Sequence, residues 1–291
     1  MKESTYFADF RKALGDIGLK KNDIVYVSSD VTGVVLTAMK ELGFKGRDDR
    51  ERFLNTLIDV LQEVVGPEGT LLFPVYNWDF CKGVAFDIKT TQGQVGSLNN
   101  YILNTRNDFA RTKHPLYSLM VWGKDADRLV NMDNQDSWGS NSPFAYLHHN
   151  GGKELCLNVN ATQGMTFKHY VEQSLNVPYR YQKFFMGEYT DIDGCRETRV
   201  YSMYVRRLEV TLTPSQTTDF FVRKGCCNRT TFRGMDMAVI DLPGAYDALS
   251  DDLLHNGGHN VYEFENYSID WDAARDDAYQ MGFLKNRDRM E

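Results

Sequence analysis

The chain has 291 residues, 42% hydrophobic and 25% charged, with a net charge of −7, which is the balance of a globular protein large enough for one large α/β domain or two smaller ones. The acidic balance argues against nucleic acid as a partner, because phosphate binding needs a basic surface, and it is compatible with a cationic substrate. No stretch approaches a membrane-spanning length, the N-terminus MKESTYFADFRKALG lacks a signal peptide's apolar core, and five cysteines with a vicinal pair at 226–227 make no disulfide framework, so a reducing cytoplasm and no membrane are expected.

In chain order, Ser4 is placed to cap a helix carrying Phe7, Phe10, Leu14 and Ile17 at spacings of three and four. GLKKND then turns the chain into the apolar run IVYV, which ends in SSD. A second helix carries Phe53, Leu54, Leu57, Ile58, Leu61, Val64 and Val65 on one stripe, and GPEGT ends it before the buried-type strand LLFPVY, which opens into NWD. Later ELCLNV opens into NATQG and leads to a helix within TFKHYVEQS. Three apolar strands that each end in a polar loop predict an α/β sheet covered on both faces. Ligands of such sheets bind outside the carboxyl ends of the strands. If the three are parallel, Ser28, Ser29, Asn77, Asp79 and His169 gather at one edge.

The second half lacks a helix between each pair of strands. PLYSLMVWG and SMYVRRLEVTLTP read as strands, so a mixed central sheet with antiparallel additions and flanking helices is expected. No repeat or long linker divides the chain, which reads as one domain over 1–291. Residues 235–291, with the acidic loop LSDDLLHNGGH and a helix starting near Trp271, read as a C-terminal extension packed on it.

Among candidate chemical groups, His169 and Glu172 stand one helical turn apart, opposite the stripe of Phe167, Tyr170, Val171, Ser174 and Leu175. Spacing alone favours a solvated surface pair. The alternative is a base with an orienting carboxylate that fixes its tautomer, at the start of a helix entered from a strand's carboxyl end. RTKHPLYS, residues 111–118, is either a solvated basic loop or a set of contacts for an anionic cofactor. Asp79 is either a turn residue or a group at the mouth of a site. Metal chemistry has no support: there is no Cys-x-x-Cys and no His-Glu-x-x-His, adjacent His148 and His149 project differently, and two glycines separate His255 from His259. Phosphate-binding glycine motifs and the G-x-S-x-G elbow are missing too, and Cys156 reads as core packing.

Five segments in order resemble the aminoglycoside 3-N-acetyltransferase family: IVYVSSD, VVGPEGTLLFPVYNWDF, RTKHPLYSLMVWG, SNSPFAYL and LNVNATQGMTFKHYVEQSLNVPYR. The resemblance spans roughly residues 5–210. It implies a mixed α/β fold, distinct from the commoner N-acetyltransferase fold, and transfer of an acyl group from acetyl-coenzyme A or another acyl-coenzyme A to an amine of an amino sugar, without a metal. Carried over by motif, it makes His169 the catalytic base, Glu172 its partner and Asp79 a holder of the cationic acceptor. Ser28 and Ser29 would meet the pantetheine arm, and Arg111, Thr112, His114 and Ser118 would lie near the cofactor's phosphate end. Ser118 or backbone N–H groups would face the oxyanion.

Two departures bear on the acceptor. Val27 stands where many members have histidine, and RVYSMYVRR brings Tyr201 and Tyr204 where some members add an acidic residue. With Tyr76 and Asn77 of YNWDF, these tyrosines are the expected substrate contacts, the alternative being core residues of a strand. The YNWDFCKGVAFD segment resembles the branch associated with bacterial surface sugars, so a nucleotide-linked amino sugar is the expected acceptor. The alternatives are an aminoglycoside drug, or water in a thioesterase. A homodimer is compatible with this reading.

Overall fold

The computed structural model describes residues 2–271, and the helix expected near Trp271 falls outside the described residues. The elements are α1 (Lys2–Asp16), β1 (Ile24–Ser29), α2 (Val31–Leu42), α3 (Arg47–Val65), β2 (Thr70–Pro74), β3 (Phe86–Asp87), α4 (Ser97–Thr105), β4 (Ala110–Arg111), β5 (Leu119–Gly123), α5 (Ala126–Asn131) and α6 (Pro143–His149). They continue as β6 (Lys153–Leu157), α7 (Ala161–Gly164), α8 (Phe167–Ser174), β7 (Arg180–Thr190), β8 (Arg196–Arg206), β9 (Thr211–Pro214), α9 (Thr217–Arg223), β10 (Cys227–Phe232), β11 (Met235–Asp241), α10 (Leu242–His255) and β12 (Tyr262–Glu265).

Seven strands form the central sheet in the order β10-β11-β6-β1-β2-β5-β4. The three apolar strands are its centre and are parallel, since β1 pairs in parallel with both β2 and β6. β11 adds antiparallel to β6, and β5 adds antiparallel to β2. This is the expected mixed sheet. Side chains alternate across it: Val25, Val27, Leu71, Phe73, Leu155 and Leu157 enter one core, while Tyr26, Leu72 and Cys156 enter the other. The stripe of α3 and the apolar residues of α1 cover the first face. α6, α8 and α10 cover the second together with a three-stranded sheet β3-β7-β8.

Four expectations change. The first helix already runs from Lys2, so Ser4 lies inside its first turn rather than capping it. α2 was not expected; Asp30 of SSD caps it, its carboxylate accepting the Gly33 N–H at 3.3 Å. The stretch SMYVRRLEVTLTP divides between β8 and β9, which lie in different small sheets. Residues 235–241, expected to begin a C-terminal extension, form β11 between β10 and β6 inside the central sheet. No helix among the described residues is long and apolar enough to cross a membrane.

Candidate active site

The parallel centre of the sheet sends the carboxyl ends of β1, β2 and β6 to one edge. A cavity of about 300 Å³ opens there, lined among others by Ser28 and Ser29 from β1, Tyr76 and Trp78 after β2, Gln163 of α7 and His169 of α8. Asn158, left-handed at φ 54°, ends β6, and its amide donates to Asp30 Oδ2 at 2.9 Å. That bond ties the exit of β6 to the cap of α2 and holds the loop beside the serine pair.

His169 sits in the first turn of α8. Its Nδ1 lies 2.6 Å from Glu172 Oε2, and no described residue bonds Nε2. The imidazole is 26% exposed, whereas the Glu172 side chain is 1% exposed. The pair is therefore no solvated surface pair. The buried carboxylate is completed from other elements: Tyr179 and Tyr262 donate their hydroxyls to Oε1 at 2.8 and 2.7 Å, and Arg180 Nε lies 2.9 Å from Oε2. Burial pushes the Glu172 carboxyl up, but Arg180, His169 and the hydroxyl of Tyr262 outweigh it and hold the group well below the ordinary carboxylate range. For His169, burial and the Arg180 charge lower the pKa more than Glu172 raises it. An ionised Glu172 accepts the Nδ1 proton, so the neutral ring presents its Nε2 lone pair.

Beneath the serine pair lies Glu154, fully buried in β6. Ser28 Oγ donates to Glu154 Oε1 at 2.7 Å, and Oε2 has no hydrogen-bond partner among the described residues. Burial raises this carboxyl to about 8, with the Ser28 hydrogen bond and the Lys168 charge opposing. Its folded pKa is higher than its unfolded one, so the folded chain holds a proton that the unfolded chain releases. Stability is then full at acid pH and falls as pH rises towards 8, by up to about 1.4 kcal/mol per unit. Glu154→Gln, which cannot ionise, is expected to flatten that slope. Urea unfolding of both proteins between pH 5 and 9 checks it, and parallel curves would show that Glu154 is already charged.

The other predicted residues divide sharply. Tyr76 lines the cavity and shares a 2.6 Å hydrogen bond between hydroxyls with Tyr26. Ser29 lines it too, its Oγ without a partner among the described residues. Arg111 is buried rather than in a solvated loop: Nε donates to Ser118 Oγ at 3.0 Å, and the other nitrogens donate to the carbonyls of Ile88, Thr91 and Val75. Ser118 donates onward to the Val75 carbonyl, Thr112 accepts the Leu119 N–H, and His114 accepts the Tyr117 N–H. Burial drives His114 down to about 3, so it stays neutral. These four peg a loop to the strand edge and do not line the cavity. Asn77 is engaged with the Gln92 carbonyl and the Asp79 N–H. Asp79 pairs with Lys82 at 2.8 Å in an exposed position, and its neighbour Trp78 reaches the cavity instead. Tyr201 packs edge-on against Phe80 and His114, and Tyr204 donates to the Val177 carbonyl. Both are core residues of β8, the alternative open from the sequence.

Sequence reasoning missed Tyr179, Arg180, Tyr262, Lys168 and Trp138. Trp138 stands 5.1 Å from the His169 ring, centroid to centroid. Arg180 ends the quoted LNVPYR stretch, where a cation after the helix was the available signal. Tyr262 lies in the stretch whose role the sequence left opaque. A second cavity, of about 580 Å³, lies on the other side of α7 and the start of α8; Lys168, Arg180 and Tyr262 line it, and it shares Gln163, Gly164, Thr166 and His169 with the first. His169 thus stands between two cavities. No group of three or more potential metal ligands occurs among the described residues.

Residues 35–253 match the model of the aminoglycoside 3-N-acetyltransferase family. Similar solved structures include AAC-IIIb in a binary complex with CoASH, 19% identical with a TM-score of 0.67 over 85% of this chain and 95% of that one. Sisomicin-bound AAC-VIa is 19% identical with a TM-score of 0.69, over 85% and 97% of the two chains. The YokD protein from Bacillus subtilis is 19% identical with a TM-score of 0.68, over 88% and 96%. At this identity the likeness shows the shared fold. No match was found among curated proteins.

Proposed function

The chain belongs to the aminoglycoside 3-N-acetyltransferase family and is an N-acetyltransferase, and from that premise we propose that it transfers an acyl group from acyl-coenzyme A to the amine of a nucleotide-linked amino sugar destined for a surface polysaccharide. The observation that carries the chemistry is the 2.6 Å contact between His169 Nδ1 and the buried Glu172, on an imidazole that faces both cavities. His169 Nε2 takes a proton from the acceptor amine. As the neutral amine nitrogen bonds to the thioester carbonyl carbon it becomes acidic and gives that proton to Nε2; the carbon–sulfur bond then breaks, and the departing thiolate takes the proton from the imidazolium. Ser28 and Ser29 on the wall of the smaller cavity suit the pantetheine arm, and the coenzyme held in AAC-IIIb supports a coenzyme A donor. Five free cysteines support a cytoplasmic setting.

The acceptor assignment rests on wall chemistry. Among the described residues, those lining the two cavities include aromatic rings, hydroxyls and two cations but no carboxylate. Aromatic rings and cations suit a sugar ring and a diphosphate, whereas a polycationic drug calls for convergent carboxylates. An aminoglycoside acceptor is the second reading, favoured by the family match itself and by the sisomicin held in AAC-VIa. The test compares kcat/KM for nucleotide-linked amino sugars and for gentamicin-type drugs with one acyl donor. Efficient acylation of the drugs alone would reverse the assignment. Thiol release from acyl-coenzyme A at the same rate with and without amine would make the protein a thioesterase instead.

A further inference from the structure

The larger cavity beside His169 is lined by two cations, Lys168 and Arg180, and by no carboxylate among the described residues. Lys168 precedes the histidine on α8, and its residue is only 7% exposed. Its ammonium donates to the Thr162 carbonyl at 3.3 Å and lies 5.3 Å from the centre of the Tyr262 ring. Among the described residues no carboxylate forms an ion pair with it. Arg180 pairs with Glu172 through Nε, and its Nη1 donates to the Tyr204 carbonyl at 3.3 Å. Glu172 therefore pairs with Arg180, and among the described residues no carboxylate pairs with Lys168. A buried ammonium without an ion-pair partner among the described residues thus lines a cavity of about 580 Å³ that His169 also lines.

Desolvated cations need a counter-charge, and burying one without a partner is costly. An acceptor carrying only an ammonium would be repelled here. An acceptor that also carries an anion would neutralise Lys168 while its amine reaches His169. Lys168 has protons left for such a group, since its ammonium carries three donors, one carbonyl takes one of them, and the ring accepts no conventional hydrogen bond.

We propose that Lys168, supported by Arg180, forms an anion subsite, and that the acceptor is an amino sugar bearing a carboxylate or a phosphate within reach of its reacting amine. This rests on the acyltransferase reading above and narrows its substrate class. The adjoining hydroxyl-bearing Thr162 and Thr213 and the ring of Tyr262 suit the remainder of a sugar.

The experiment uses the full chain with acetyl-coenzyme A and four acceptors: glucosamine, glucosamine 6-phosphate, uridine-diphosphate-linked glucosamine and the uronic acid of glucosamine. The readout is kcat/KM for each anionic acceptor divided by that for glucosamine. In the wild type at least one ratio is expected to exceed ten; the phosphate and carboxylate arms identify the anion. Lys168→Met is expected to collapse that ratio to near one, Lys168→Arg to preserve most of it, and both to bind coenzyme A within threefold of wild type by calorimetry. Equal use of glucosamine and every anionic sugar overturns the subsite and leaves the acyltransferase reading standing. So does a Lys168→Met variant whose ratio is unchanged, or one whose main defect is coenzyme A binding, which would assign the cavity to the donor. Transfer to no amine of any kind overturns both readings.

Discussion

His169→Ala is expected to slow acyl transfer by about 10²–10⁴-fold, the usual contribution of a general base. The imidazole is the group at the junction of the two cavities whose Nε2 has no partner among the described residues and whose Nδ1 is oriented by a buried carboxylate. The loss should fall on turnover and not on folding. Without the ring, Glu172 still has Arg180, Tyr179 and Tyr262, so no buried charge is abandoned. A neutral ring is the active form, and burial with the Arg180 charge lowers its pKa, so wild-type kcat/KM should stay flat through neutral pH and decline only on the acid side. Steady-state rates from pH 5 to 9, with thermal melts of both proteins, check this. A well-folded variant with near-normal turnover would place the base elsewhere.

Glu172→Ala is expected to reduce stability by about 3–5 kcal/mol, the cost of breaking a buried ion pair by removing one partner. The alanine would leave Arg180 unbalanced beside Lys168 and would strip two buried tyrosine hydroxyls of their acceptor. Glu172→Gln keeps an acceptor for the tyrosines and should be milder. The pH dependence carries a definite sign. A carboxyl held below its unfolded pKa contributes stability that is present above the unfolded value and is lost as pH falls through the folded one. The gap between wild type and the alanine variant should thus be widest near pH 7 and narrow towards pH 3. Denaturant unfolding at the two pH values measures it. Equal stability at pH 7 would mean that Glu172 is not the keystone of this cluster.

Most of the architecture was legible along the chain because burial on both faces leaves a local imprint. IVYV, LLFPVY and the Leu155–Leu157 run of ELCLNV are apolar, and each lies in a central strand. The i, i+3 relation of His169 and Glu172 was equally local, as was the arrival of α8 from a strand's carboxyl end. α2 escaped notice because Val31, Gly33, Val34 and Val35 are poor helix formers, and packing overrides their propensity.

What covers a helix face is not written in the helix. Glu172 looked solvated by its own spacing; it is buried because Tyr262 arrives from 90 residues away and Arg180 closes the other side. Arg111 looked like a cofactor ligand in a basic loop, yet Val75, Ile88 and Thr91 bring carbonyls to it from other parts of the chain. Asp79 turned out exposed and its neighbour Trp78 inward. Sequence spacing determined which residues share a strand, a turn or a helical stripe, since those relations follow from backbone geometry over a few residues. The tertiary structure alone decided which charges are desolvated and what faces them, because the cost of burying a charge depends on groups that the fold, not the local sequence, brings within 3 Å.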